Sequence, residues 1–569
     1  MAPTPSQSPI LEELFTPYNP IVLYALPITA ALALHAAVQV REPYAHHVIV
    51  AFVLSFSGVA YTLQNLWHIS LFQSTVITTT MTAIFLGALA ISVCVYRVFF
   101  HPLRKIPGPL SCKLTMWSWV LSDWSGTRAN QIRAMHQKYG DIVRIGPREI
   151  SCSDPSALST IYGPTGPAAK CTRGPWYSAN GEIDVHSLQN EPTLPEHNRR
   201  RRDWDPAFSI RALSMYKDNI RRNADELMLQ IARLATQEKV DIRECMMWFG
   251  FDVMGELGFG RSFGTVKAGK TSQEVHLVEL GVRAINTMGN IPYISHIMRY
   301  LPSPVARLEA WLDKALDWRI SHHGEKDFVD ADVFAFLLGE QGKQRRKLNR
   351  LELRQDCMLM VVAGSDTTSN ALTFCLFELA HQPDLVRRMR QELAAIFPSM
   401  TRKPEEFELL RDQAHLLNAC IQESLRLWAP VPSGLQRATT TTMPLPTSNG
   451  EITVVPPDTI VSTHTYTMHL DERNFFSPEQ FIPDRWIDAE VKEQTHNAKA
   501  LSPFGYGVTG CIGKNLAFME MRLVLALFVM YFDIDVDQED AKAFRESVRD
   551  QFVIATGPLK LRVTPRKTL

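Results

Sequence analysis

The chain has 569 residues, enough for several average domains or for one large enzyme. Its 59 acidic and 59 basic residues cancel, which removes the main electrostatic reason to expect a nucleic-acid partner. Nine scattered cysteines, an odd number, fit a reducing compartment rather than a disulfide scaffold.

The N-terminal fifth is apolar. No Lys, Arg, Asp or Glu occurs from Leu14 to Val40 or from Pro43 to Tyr96. Three candidate spans fit at 21–40, 47–66 and 76–96, each near the ~20 residues that a bilayer helix needs. Pro27, His35 and Gln64 interrupt the first two, so the alternative is a single anchor, the third span, preceded by an interfacial hairpin. Glu12 and Glu13 argue against a cleaved signal peptide, whose leading segment is basic. Arg41 lies in the first loop, and Arg97, Arg104 and Lys105 follow the third span. The positive-inside rule then puts the N-terminus outside and the remainder in the cytosol. Pro107-Gly-Pro109 ends the last span as a short stiff elbow, giving an anchor and hinge at 1–106 and one mainly helical body at 107–569.

Within the body, Asp141–Gly146 and Glu149–Cys152 read as a hairpin, and residues 170–195 are too turn-rich for a helix. Four arginines at 199–202 read as a solvated basic face or a docking surface for an acidic partner. His197 and Arg201, four apart, share one face of a helix. Segments 207–340 read as helices with irregular joints and carry little legible chemistry.

After the basic loop 342–347 comes a long apolar helix, about Leu351–Ala380, with Ala363-Gly364-Ser365-Asp366-Thr367-Thr368 in its middle. Gly, Asp and Thr are poor choices for a helix interior. Two accounts are open: the helix stops and restarts with Asp366 or Thr367 as N-cap, or it opens locally so that a freed carbonyl and hydroxyl hold water and pass protons. Further on, Glu423 and Arg426 stand three apart on a helix, a spacing that is common by itself. Pro430–Arg437, two strand-like runs at 451–455 and 459–464, and Pro483-Asp484-Arg485-Trp486 follow.

The last motif is Phe504-Gly-Tyr-Gly507-Val-Thr509-Gly-Cys511-Ile-Gly513, set before a helical pattern of Leu516, Met519, Leu523, Leu527 and Met530. The glycines admit a flat partner, and the helix N-terminus favours a thiolate. From the loop alone, Cys511 presents sulfur to a metal or electrophile, or is a buried Cys in a turn. A structural zinc would need about four ligands, and none is near.

Together these motifs resemble the cytochrome P450 family: the haem loop at Phe504, Gly507, Cys511 and Gly513, the helix motif with Asp366 and Thr367, the Glu423/Arg426 pair with Arg485, and a fungal-type proline hinge. One position departs: Thr509 stands where the family usually has Arg, a propionate partner. The resemblance implies a mainly α fold with small β-sheets behind N-terminal transmembrane helices. It implies haem b with Cys511 as axial iron ligand, and Arg437, His197 and Arg201 as propionate partners. Asp366 and Thr367 would deliver protons for O–O cleavage. Glu423, Arg426 and Arg485 would form a buried network, and Val362, Ala363, Val431, Pro432 and Ser433 would line the substrate pocket.

The implied activity is a monooxygenase that hydroxylates or epoxidises an apolar small molecule of secondary metabolism. Electrons would come from an NADPH-cytochrome P450 reductase, with cytochrome b5 as a second donor. The setting would be the endoplasmic reticulum membrane, with a lumenal N-terminus. Rival readings are a haem-thiolate isomerase or dehydratase that needs no O₂, and a non-catalytic membrane protein.

Overall fold

The computed structural model describes residues 19, 21–40, 45–178, 185–291, 304–322, 332–340, 348–398, 406–494 and 496–566. Arg41 and the basic loop 342–347 lie outside them.

Three helices open the chain: α1 (Leu26–Val40, continuing a wide turn at Ile21–Ala25), α2 (Ala45–Leu66) and α3 (Leu71–Val95). By length and composition all three can cross a membrane, over Ile21–Gln39, His46–Leu66 and Leu71–Phe100. The third is longer than its expected 76–96. Ser70 caps its start by accepting from the Gln73 amide, and a turn at Tyr96–Phe100 extends its end. His35, an interruption when read in sequence, bonds Ser92 of α3 at 2.7 Å, so its polarity is met inside the bundle.

The hinge is packed rather than free. Leu103 and Ile106 are buried in one apolar cluster with Ile142, Ile150 and Val461. The Arg144 amide donates to the Pro107 carbonyl at 2.7 Å, and the Arg144 guanidinium reaches the Arg97 carbonyl at 3.0 Å. The division at 106/107 therefore cuts through packed structure.

The body is mainly helical. Leu194–Trp204 (α4) carries the four arginines, and Ile242–Phe259 (α5) is buried along nearly its whole length. Gln273–Gly289 (α6) follows. The long helix α7 (Arg350–Ala380) starts at a capping box, Asn349 with Glu352. Helix α5 crosses it closely: a Cβ on Gly364 would lie 2.0 Å from the Met254 sulfur. His415–Leu427 (α8) and Lys514–Tyr531 (α9) complete the core.

The five-stranded sheet is assembled from distant segments: β1 (Ile142–Gly146), β2 (Glu149–Cys152), β3 (Thr172–Arg173), β4 (Arg437–Ala438) and β5 (Ile460–Thr463), in the order β1-β2-β5-β4-β3. The expected hairpin is β1–β2, antiparallel with Ile142 opposite Cys152. The two later strand runs part company. Ile460–Thr463 joins this sheet in parallel with β2, whereas Ile452–Val455 pairs with Met443–Pro446 in a separate hairpin.

Candidate active site

One cavity of about 360 Å³ lies between α4, α6, α7, the 502–513 loop and the start of α9. That volume is in the range of small-molecule sites. Its walls are largely apolar, with Leu188, Val282, Ile285, Leu359, Val362 and Phe552 among them.

The loop delivers Cys511 to this space. The Cys511 amide donates to the Phe504 carbonyl at 2.8 Å, closing the turn, and the sulfur sits two residues before Gly513, the N-cap of α9. Gly507 has φ +68° and a Cβ there would stand 2.3 Å from the Tyr162 carbonyl oxygen, so only glycine fits. Seven of the nine cysteines are buried; Cys94 is exposed on α3, and Cys511 is open toward the cavity. Removal from bulk water pushes the Cys511 thiol up, against the opposing pull of the Gly513 and Lys514 amides and Arg201. A cation at the sulfur would reverse that balance.

One end of the cavity is cationic. His197 and Arg201 project from α4 on the expected shared face, and both line the cavity. Arg201 bonds Asp205 (2.8 Å) and the Gly510 carbonyl (2.9 Å). Burial and nearby Arg173 lower His197 to about 4, so it is a neutral ring at physiological pH rather than a cation. Arg437 donates to Thr509 Oγ1 at 2.7 Å and lies over the Tyr162 ring. Thr509 thus occupies part of the bonding capacity of a neighbouring arginine.

Arg173 escaped the sequence reading. It sits in the stretch dismissed as turn-rich, on a two-residue strand whose pairing puts it directly opposite Arg437. Like charges opposite each other destabilise a strand pair. Neither arginine forms an ion pair among the described residues. Burial and Arg437 bring Arg173 down to about 10, still a cation at pH 7. No local pattern marks Arg173; only the pairing of β3 with β4 does.

The helix motif behaves differently from both expectations. α7 runs unbroken through residues 363–368, without a restart or an opening. The hydroxyls bond back along the helix instead: Thr367 Oγ1 donates to the Ala363 carbonyl and Ser365 Oγ to that of Val361, both at 2.6 Å. Thr367, Val362 and Ala363 line the cavity, but Asp366 does not. Asp366 is buried at 7 % exposure with Oδ1 unbonded, and burial plus the nearby Glu279 carboxylate, partly offset by Arg243, lift it to about 7. Val431 and Ser433 line the cavity. Pro432 turns away, its carbonyl accepting from the Tyr466 amide at 3.1 Å.

Glu423, Arg426 and Arg485 meet with no solvent exposure at all. Arg426 grips Glu423 in two bonds (2.7 and 3.0 Å), Arg485 reaches it at 3.0 Å, and Trp486 Nε1 at 2.9 Å. Within the run of four arginines, Arg200 is not solvated: it is buried against Asp356 of α7 at 2.6 Å. Asp356 also accepts from the Leu188 amide at 2.9 Å, tying α4 and a cavity-lining loop to the long helix.

A mainly helical body with small sheets, enclosing a cysteine loop that faces a glycine- and threonine-bearing helix across an apolar cavity, defines a class, and the chain belongs to it: the cytochrome P450 model matches residues 107–563. The protein is a cytochrome P450 monooxygenase. A relative named cytochrome P450 monooxygenase FCK2, from Fusarium pseudograminearum (strain CS3096), is 33 % identical over 98 % of this chain and 100 % of its own length. Cytochrome P450 monooxygenase nodW of Hypoxylon pulicicidum is 30 % identical over 90 % of this chain and 92 % of its own. Tryprostatin B 6-hydroxylase of Aspergillus fumigatus is 29 % identical over 85 % of each chain.

Proposed function

We propose that Cys511 holds the haem iron through its sulfur and that the chain hydroxylates or epoxidises an apolar small molecule of secondary metabolism. Electrons would come from an NADPH-dependent reductase. The observation that carries this reading is a shared space: the Cys511 thiol, the Arg173 and Arg201 guanidiniums and the Thr367 hydroxyl line one apolar cavity, and Arg437 stands opposite Arg173 on the paired strand. An iron porphyrin would take a soft sulfur donor for its iron, apolar surroundings for its ring and cations for its two carboxylates. The residues fit each requirement. Arg173, Arg437 and Arg201 would hold the carboxylates, with neutral His197 donating a hydrogen bond, and Phe504, Gly507 and Gly513 would shape the loop around the sulfur.

When bound, haem supplies the activation of dioxygen. The chain supplies the sulfur, the proton path and the substrate pose. Thr367 has its own hydrogen committed to the Ala363 carbonyl, so its oxygen offers lone pairs to the cavity and can accept a proton there. Asp366, balanced near neutrality, is suited to gain and lose a proton behind it. Val362, Ala363, Val431 and Ser433 would contact the substrate. The hydroxylase name of the Aspergillus relative supports the reaction type, and the fungal relatives support the metabolic setting. The three apolar helices would anchor residues 1–106 in the endoplasmic reticulum with the body cytosolic, where the reductase and cytochrome b5 can reach it.

The test is a carbon-monoxide difference spectrum of the reduced protein. We expect the haem-thiolate band in the wild type and its loss in Cys511→Ser; a variant that keeps the band overturns the assignment. Oxygen insertion is then read as product one oxygen heavier, dependent on NADPH and reductase.

A further inference from the structure

Behind one wall of the cavity lies a second chamber of about 40 Å³. Trp176, Ser433, Gly434 and Phe552 line both spaces, and the Trp176 and Phe552 rings stack at 4.2 Å within that wall. The chamber differs in chemistry from its neighbour. Buried carboxylates of Glu149 and Asp550 line it, and a third, Asp123, touches it through Asn290, whose amide donates to Oδ2 at 2.5 Å.

Cations do not match these acids. Arg128 is the one guanidinium lining the chamber among the described residues, and it stands 3.6 Å from Asp123 and 3.7 Å from Glu149, long for a pair. His464 is held neutral by burial, and its Nδ1 accepts from the Thr467 amide. His136, stacked on it, is also lowered by burial. Asp550 has no ion pair among the described residues; it accepts only neutral donors, Ser433 Oγ at 2.9 Å and the Phe552 amide at 3.1 Å. Glu149 Oε2 and Asp123 Oδ1 are buried with no hydrogen bond, and so is the Tyr177 hydroxyl, which also lines the chamber. Burial raises the Glu149, Asp550 and Asp123 carboxyls, Asp123 to about 7. The space therefore has one guanidinium, its Nε also buried without a hydrogen bond, against Glu149 and Asp550 on its walls and Asp123 behind Asn290.

We propose that the chamber receives the protonated amine of the substrate, so that the molecule oxidised is an apolar body bearing a basic primary or secondary nitrogen. The space takes one ammonium group or a few waters and is too small for a bulky quaternary head. Ser433 lines both spaces and already bonds Asp550, so an amine passing it exchanges a neutral donor for a charged one, which bonds a carboxylate about twice as strongly. The pose puts the apolar body in the main cavity, beside Thr367.

This inference rests on the haem reading above, and the experiment separates the two. The haem-loaded full chain is titrated with 4-phenylbutylamine and with 4-phenylbutan-1-ol, following the Soret band, with calorimetry as a second readout that needs no haem. A free primary amine is itself an iron ligand and shifts the band to the red. An amine held in the chamber cannot reach the iron and shifts the band to the blue. We expect a blue shift, with the amine bound about ten-fold more tightly than the alcohol. Asp550→Asn should remove that preference and leave the alcohol within about two-fold; Glu149→Gln should weaken the amine in the same direction. A red shift in the wild type, equal affinities for the two compounds, or equal losses for both in Asp550→Asn overturns the proposal and leaves the chamber a water pocket. A chain without the haem-thiolate band fails the reading above instead, and calorimetry still decides on the amine.

Discussion

At the scale of single residues, Arg173 and Arg437 face each other across paired strands, an arrangement that repels until an anion lies between them. Removing one charge should therefore act in opposite senses on the two forms of the protein. Arg173→Gln should leave the haem-free chain as stable or more stable, while haem release from the loaded chain should quicken by about ten-fold. Transfer of haem to an acceptor protein measures the second, and thermal unfolding of the apo form the first. Slower or unchanged release would remove Arg173 from the carboxylate site. Thr509 belongs to the same cluster. Its hydroxyl anchors Arg437, so the position usually held by an arginine still serves to aim one.

Asp366 makes a separate prediction. An aspartate ionises near 3.8 when unfolded and near 7 in its buried site, so the folded chain holds a proton between those values. The stabilisation is complete below the lower value and is lost as pH rises through 7. The gap corresponds to on the order of 4 kcal/mol at full ionisation. Asp366→Asn should flatten the stability curve between about pH 4 and 7, read as Tm against pH. An unchanged slope would mean that Asp366 is ionised throughout.

At the scale of elements, the Glu423, Arg426 and Arg485 network joins α8 to the 481–486 segment. All three charges are shielded from water, and Arg426 also fixes the carbonyls of His469, Pro478 and Gln480. Taking away the one carboxylate leaves two buried guanidiniums without a counter-charge. Glu423→Gln should cost about 3–5 kcal/mol, seen in denaturant unfolding; a loss below about 1 kcal/mol would reduce the network to an ordinary surface pair. The close crossing of α5 and α7 explains Gly364 in the same terms. Its missing side chain makes room for Met254, which a reading of helix propensity alone counts only as a weakness.

For the whole molecule, the junction between anchor and body decides where the chain can be cut. Leu103 is 1 % exposed and Ile106 8 %, both packed on the β1–β2–β5 edge of the sheet. A chain starting at residue 107 loses both side chains, whereas one starting at residue 97 keeps them together with the Arg97 carbonyl that holds Arg144. We expect the longer body to keep the wild-type Tm and the shorter one to lose about 2–5 kcal/mol. Equal stability would mean that the hinge is only a tether.

The order of residues was enough for the class, and it marked Cys511 as the candidate ligand. Periodicity marked the long helices because a buried stripe must repeat every turn, and the glycine loop with Cys511 carried its chemistry within ten consecutive residues. The three apolar helices were legible for the same reason, since length and the absence of charge suffice. What the order of residues could not decide were facts that exist only between distant segments. Arg173 acquires meaning from its strand partner 264 positions on, and Arg200 from Asp356. The backbone at Asp366 and Thr367 stays helical because back-bonded hydroxyls and the packing of α5 outweigh weak local propensities. Which of two adjacent side chains faces the cavity is set by helix rotation, and that is fixed by tertiary packing alone. So too is the polar chamber behind Ser433, built from seven separate stretches of chain whose acids carry no local signature.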